Sequence, residues 1–229
     1  MQSPTLTAKV EKPTYFELNN ELNIPKNGSI QLAKDKEAVR AYFLEYVNPN
    51  TVFFHDLEEK LDYLMDNDFI ERPFLEQYSF EFIKKLFRTV YDKKFRFKSF
   101  MGAYKFYQQY ALKTNDKERI LERYEDRIAF NALYLAEGNE SFALALAEEL
   151  ISQRFQPATP TFMNAGRKRR GELASCYKIS LEDNMNSIGR SINSSLQLSK
   201  IGGGVGINLS NLRAKSDPIK KIENAAGGV

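Results

Sequence analysis

The chain has 229 residues, 42% of them hydrophobic, with seventeen Phe and twelve Tyr but no Trp, which is enough for one or two globular cores. Its 33 basic and 30 acidic residues leave a formal charge of +3, too balanced to indicate a nucleic-acid or membrane partner. One cysteine excludes an internal disulfide, and neither a membrane-length apolar run nor a signal-peptide core is present, so a soluble, cytoplasmic protein is predicted.

Residues 1–34 are mixed and turn-rich around "NIPKNGSIQL", and predict an N-terminal arm or a small strand pair. From Asp35 to Phe155 the apolar spacing is helical. "DKEAVRAYFLEYV" repeats Val39, Tyr42, Phe43 and Tyr46, and "HDLEEKLDYLMDN" repeats Leu57, Leu61 and Leu64. "SFEFIKKLFRTVYDKK" begins at a Ser79 cap, and "SFMGAYKFYQQYAL" adds aromatics at Phe100, Tyr104, Phe106 and Tyr107. A long helix is predicted over "NDKERILERYEDRIAFNALYLAEG", closing at Gly138, and another over "NESFALALAEELISQRF", capped by Asn139. The aromatic stripes read as core.

After Phe155 the texture changes. "QPATPTFMNAG" predicts a loop without helix. "ELASCYKI" alternates like a strand, and "EDNMNSIGRSINSSLQLSK" reads as a helix capped by Asp183, with Met185, Ile188, Ile192 and Leu196 on one face. "GGGVGINL" is a second, glycine-led strand. Strand, helix, strand is a βαβ unit with parallel strands and a right-handed crossover. Two parallel strands are not a domain, so the sequence reads as truncated after "ENAAGGV", with an open sheet edge that predicts poor solubility alone.

Few residues carry chemistry. Cys176 is a small core filler or a functional thiol. Gly202, Gly203, Gly204 and Gly206 match neither a dinucleotide fingerprint nor a Walker A loop. They make a tight turn or bring bare backbone N–H groups to a phosphate. Thr159, Thr161 and Ser175 place hydroxyls near the same sheet end if the strands are parallel. Asp183 is an N-cap or a ribose ligand, and Arg213 a phosphate partner or a solvated charge. The run "GRKRRGE" reads as a solvated loop rather than a nucleic-acid contact. His55 is the single histidine, so neither a histidine triad nor a histidine-rich metal site can be built.

Taken in order, "FQPATPTFMNAGRKRRGELASCYKIS", "SIGRSINSSLQLSKIGGGVGINLSNLRAKSDP" and the upstream "KFRFKSFMGAYKFYQQYALKTNDKERILERYEDRI" resemble the large (alpha) subunit of class I ribonucleotide reductase, most closely class Ib. The resemblance spans residues 14–229. It implies a mixed α/β fold in which a helical N-terminal domain (35–155) precedes the first βαβ of a ten-stranded α/β barrel (156–229), incomplete here. It implies thiyl-radical reduction of ribonucleoside diphosphates to deoxyribonucleoside diphosphates. Cys176 matches the reductant cysteine that pairs with a later cysteine at each turnover. Thr159, Ser175 and Gly202, Gly203 and Gly204 match substrate-binding positions. Asp183 and Arg213 match contacts of the dNTP effector, with Lys200 and Ile219 as further candidates.

The implied partners are a second alpha subunit, the rest of the alpha chain, a small beta subunit with a manganese or iron dimetal–tyrosyl radical, and a glutaredoxin-like protein or thioredoxin. No metal or other cofactor is expected in this chain, only ATP and dNTP effectors. The radical cysteine, its Asn and Glu companions, the second reductant cysteine, the radical-path tyrosines and the C-terminal cysteine pair do not match any residue here. Residues 1–34 are too short for a complete ATP cone, although a partial cone that binds a nucleotide weakly stays open. The chain alone is therefore expected to be inactive. A non-catalytic nucleotide-binding or regulatory module is the alternative.

Overall fold

The computed structural model describes residues 14–169 and 171–228, so residues 1–13 of the expected arm and Arg170 of the basic run lie outside the described residues. The chain divides into two compact units, residues 1–155 and 156–229.

The first unit is helical. α1 (Thr14–Leu22) packs on α2 (Leu32–Tyr42), so the described part of the arm is a helix and not a strand pair. The turn between them holds a single bridge, Lys26 to Ser29. Four aromatic residues decide this: Tyr15 is buried and meets Tyr42 edge-on at 5.0 Å, while Phe16 lies 5.7 Å from Tyr104. A π-helical turn, Phe43–Val47, continues α2 into the short α3 (Asn48–Asn50).

α4 (Leu57–Asp66) starts at Asp56, whose carboxylate accepts the Glu59 N–H at 2.9 Å, and it buries Leu61 and Leu64. The short α5 (Arg72–Leu75) leads to α6 (Phe80–Asp92), capped by Ser79 as its sequence predicts. α7 (Phe100–Lys105) runs into a second π-helical turn, Phe106–Tyr110. Wide turns of this kind admit an extra residue into the helix. Here the two meet through Phe43 and Tyr107, perpendicular at 5.5 Å.

The helix predicted from Asn115 begins only at Tyr124. Asp116 accepts the Glu118 N–H and Thr114 accepts the Arg119 N–H, forming a turn with Lys117 at φ 65°. Ile120 then bridges Thr51 on one side and Lys113 on the other, fully buried. α8 (Tyr124–Ala136) is buried nearly all round, and α6 and α9 (Glu140–Ile151) pack on it. It carries an unusual polar interior. Asp126 takes the Arg123 N–H at 2.7 Å, the Tyr91 hydroxyl at 2.8 Å and the Lys60 ammonium. Arg127 donates to Glu122 at 3.2 Å, both fully buried. At the end of α8, the Tyr78 hydroxyl donates to the Leu133 carbonyl and accepts the Gly138 N–H.

The second unit opens with α10 (Thr159–Asn164), a helix where the sequence predicts a loop. Pro160 sits in its first turn, where no backbone N–H is needed, and so starts the helix rather than breaking it. β1 (Cys176–Ser180), α11 (Met185–Lys200) and β2 (Gly204–Asn208) then form the expected βαβ unit with parallel strands. α11 is capped by Asn184, which accepts the Ser187 N–H at 2.8 Å, and not by Asp183. Its polar side is turned inward, with Ser191 buried, while Met185, Ile192 and Leu196 are exposed.

Candidate functional site

Parallel pairing brings the starts of both strands together, with Cys176 opposite Gly204 and Ser180 opposite Asn208. The Ser175 carbonyl accepts the Gly204 N–H at 2.7 Å, and the Ser175 hydroxyl lies 3.9 Å from the exposed Cys176 thiol. Alternation sends Cys176, Lys178 and Ser180 to the exposed face and half-buries Tyr177 and Ile179. α10 is tied to the approach to β1: the Thr161 hydroxyl donates to the Leu173 carbonyl at 2.9 Å and the Asn164 amide to the Glu172 carbonyl at 3.0 Å. Thr159 is the exposed first residue of that helix. Thr161, Ser175–Cys176 and the glycines thus lie toward the N-terminal ends of the strands.

The glycines answer different local demands. Gly202 has φ 91°, a left-handed conformation that side chains resist. A Cβ on Gly203 would stand 2.5 Å from the Tyr177 ring and 2.9 Å from the Leu198 carbonyl oxygen. The N–H groups of Gly202, Gly203 and Gly204 are taken by the Ser199, Leu198 and Ser175 carbonyls, so the segment offers open space beside Gly202 and a bare backbone that a ligand can approach closely, rather than free N–H donors.

Asp183 and Arg213 stand at the opposite ends of the strands. The Arg213 guanidinium pairs with the Asp183 carboxylate and reaches its carbonyl at 3.5 Å. Both side chains are about one-third exposed, so the pair is worth little in stability and is free to exchange partners. Asn211 fastens the loop after β2 to the loop after β1, donating to the Leu181 carbonyl at 2.8 Å. Lys200 closes α11, whose length of about 24 Å separates it from Asp183. Ile219 lies further along the last segment, bridged to Ile222. Five residues of β1, roughly 13 Å between the first and last Cα, thus separate a thiol–glycine end from an Asp–Arg end.

Sequence reasoning missed three positions. Tyr177 packs over Gly203, Asn184 caps α11 and Asn211 joins the two loops. Asn184 carried a signal, an Asx residue just before the apolar run with a serine three residues on. Among the described residues no three His, Cys, Asp or Glu side chains gather as metal ligands, and no helix is long and apolar enough to cross a membrane.

Three family models match the chain in succession: ribonucleotide reductase N-terminal over residues 15–95, ribonucleotide reductase all-alpha domain over 96–170, and ribonucleotide reductase barrel domain over 174–229. The chain belongs to the ribonucleotide reductase family. The family's barrel model begins just before β1, so the βαβ unit is the start of that barrel. Its N-terminal model takes residues 15–95 as one domain, across the boundary expected at 34/35.

Among ribonucleotide reductase relatives, the ribonucleoside-diphosphate reductase subunit alpha of Bacillus subtilis strain 168 is 58% identical over 217 residues, covering 95% of this chain and 31% of the relative. The NrdEB subunit alpha of the same strain is 57% identical over 95% of this chain and 20% of its own length. The subunit alpha of Mycoplasma genitalium is 48% identical over 99% of this chain and 31% of its own. The chain therefore spans between a fifth and just under a third of the length of these three relatives.

Proposed function

We propose that this chain is the N-terminal part of a class Ib-like ribonucleoside-diphosphate reductase alpha subunit, and that Cys176 is one of its two reductant thiols. The observation that carries the reading is the pairing of Cys176 with Gly204, which sets an exposed thiol beside a glycine backbone able to seat a diphosphate. Overall, a ribonucleoside diphosphate and two thiols give a deoxyribonucleoside diphosphate, a disulfide and water. Two electrons leave as a disulfide forms, so Cys176 works only with a second cysteine supplied elsewhere. Its sulfur gives up a hydrogen while the strand holds it at fixed distance from the ribose. The side-chain-free backbone of Gly202–Gly204 lets the diphosphate and ribose approach closely, and the hydroxyls of Thr159 and Ser175 hold them.

The other sheet end serves control. Asp183 takes a ribose hydroxyl of a dNTP effector and Arg213 its phosphates, exchanging their mutual pair for the ligand; Lys200 and Ile219 add contacts. The outward apolar stripe Met185–Ile192–Leu196 of α11 seats a second alpha subunit. A beta subunit with a manganese or iron dimetal–tyrosyl radical supplies the radical, and a glutaredoxin-like protein or thioredoxin restores the thiols in the cytoplasm.

The test is CDP reduction by a full-length alpha subunit carrying this sequence, assembled with beta. Cys176→Ser abolishes multiple turnover while effector binding persists. Unchanged turnover in Cys176→Ser, or CDP reduction by the 229-residue chain on its own, overturns the reading.

A further inference from the structure

We infer that Tyr177 is a positioning residue, whose ring holds the glycine segment and the Cys176 strand start in one fixed arrangement; this rests on the functional reading above. Its neighbours point to the assignment. Alternation turns Tyr177 away from the face that carries Cys176. Its ring fills the place a side chain at residue 203 would take, with Cε2 and Cδ2 at 2.5 and 2.8 Å from a Cβ there. Its hydroxyl folds back along the strand and donates to the Ala174 carbonyl at 3.1 Å.

One side chain therefore touches both strand starts. The Gly203 N–H is taken by the Leu198 carbonyl at 2.9 Å, and the Gly204 N–H by the Ser175 carbonyl at 2.7 Å. The Ala174 and Ser175 carbonyls are thus held by Tyr177 and Gly204 in turn, immediately before the thiol. The glycines are fixed from the helix side by Leu198 and from the sheet by the ring. Without the ring, Gly202–Gly204 has backbone freedom that no side chain of its own can restrict. A loose segment no longer presents one fixed surface to the substrate, and substrate binding suffers first because the reacting sulfur stays on the strand.

Two measurements test this. Amide hydrogen exchange on the chain compares wild type with Tyr177→Ala, Tyr177→Phe and Gly203→Ala. Tyr177→Ala and Gly203→Ala are expected to speed exchange at Gly204 by about tenfold, and Tyr177→Ala also at Gly203, leaving Lys178–Ser180 unchanged, while Tyr177→Phe stays within about fivefold of wild type, the scale of one hydrogen bond. Exchange unchanged in Tyr177→Ala, or accelerated equally along both strands, overturns the assignment. In the full-length subunit assembled with beta, Gly203→Ala and Tyr177→Ala are expected to raise KM for CDP several-fold more than they lower kcat, with Tyr177→Phe restoring both. An equal fall in kcat with KM unchanged overturns it. If the assembled wild type reduces no CDP, the functional reading fails, and the exchange result still decides whether Tyr177 holds the segment.

Discussion

Replacing Arg127 with methionine tests the buried polar interior of α8. Arg127 and Glu122 are both fully buried and joined at 3.2 Å, and the guanidinium lies 5.9 Å from the centre of the Phe130 ring. Methionine keeps the apolar contact with Phe130 but leaves the Glu122 carboxylate without its cation, holding the Leu112 N–H at 2.9 Å. Removing one partner of a buried pair costs about 3–5 kcal/mol, because the surviving charge stays out of water. For a chain of this size that lowers Tm by roughly 6–20 °C. The double variant Glu122→Leu/Arg127→Met removes both charges and is expected to recover most of the loss. Urea unfolding followed by far-UV circular dichroism measures all three, since the chain has no Trp to report by fluorescence. A loss below about 1 kcal/mol in Arg127→Met, or a double variant no better than the single, refutes the reasoning.

Three further outcomes are expected. Burial raises the hydroxyl pKa of Tyr42 and Tyr107 above the ordinary 10, and both are essentially inaccessible. The folded state then keeps protons that the unfolded state releases, so stability is full below pH 10 and falls above it by about 1.4 kcal/mol per pH unit for each. A flat urea midpoint from pH 9 to 11 contradicts this. Asn184→Ala is expected to cost about 1 kcal/mol by uncapping α11, whereas Asp183→Ala leaves the helix intact and releases Arg213; equal losses in the two variants go against the assigned cap. Cys176, the single thiol and exposed, should react with one equivalent of Ellman's reagent in the native protein; reaction only after denaturation would place it in the core.

Much of the fold is legible in the residues. Ser79 and Asn139 announce their helices because a short polar acceptor before an apolar run has one strong use. The βαβ unit follows from alternation, helical period and alternation again. The misses have local causes. "TPT" contains a proline, which breaks a helix interior yet opens a first turn, and only the three-dimensional setting distinguishes them. Asn115–Arg123 has helical spacing, but Thr114 and Asp116 satisfy the backbone locally and Ile120 is claimed by Thr51, over sixty residues away. Asp183 and Asn184 are adjacent capping residues; the loop contact with Arg213 takes Asp183, and the cap falls to Asn184. At the site, Cys176 and the glycines carried the resemblance. The role of Tyr177 had no signal, since a tyrosine in a strand looks like packing until its neighbour is known to lack a side chain.

The β1–β2 register also bears on how the protein comes off the ribosome. Both strands, their crossover helix and the Asp183–Arg213 latch lie between Cys176 and Arg213, a span of fewer than forty residues. Every register partner of the strand pair lies within residues 176–208, so the pair is complete once Asn208 has emerged. The parallel pair can thus form as one local unit, through contacts that all lie within a short stretch of chain.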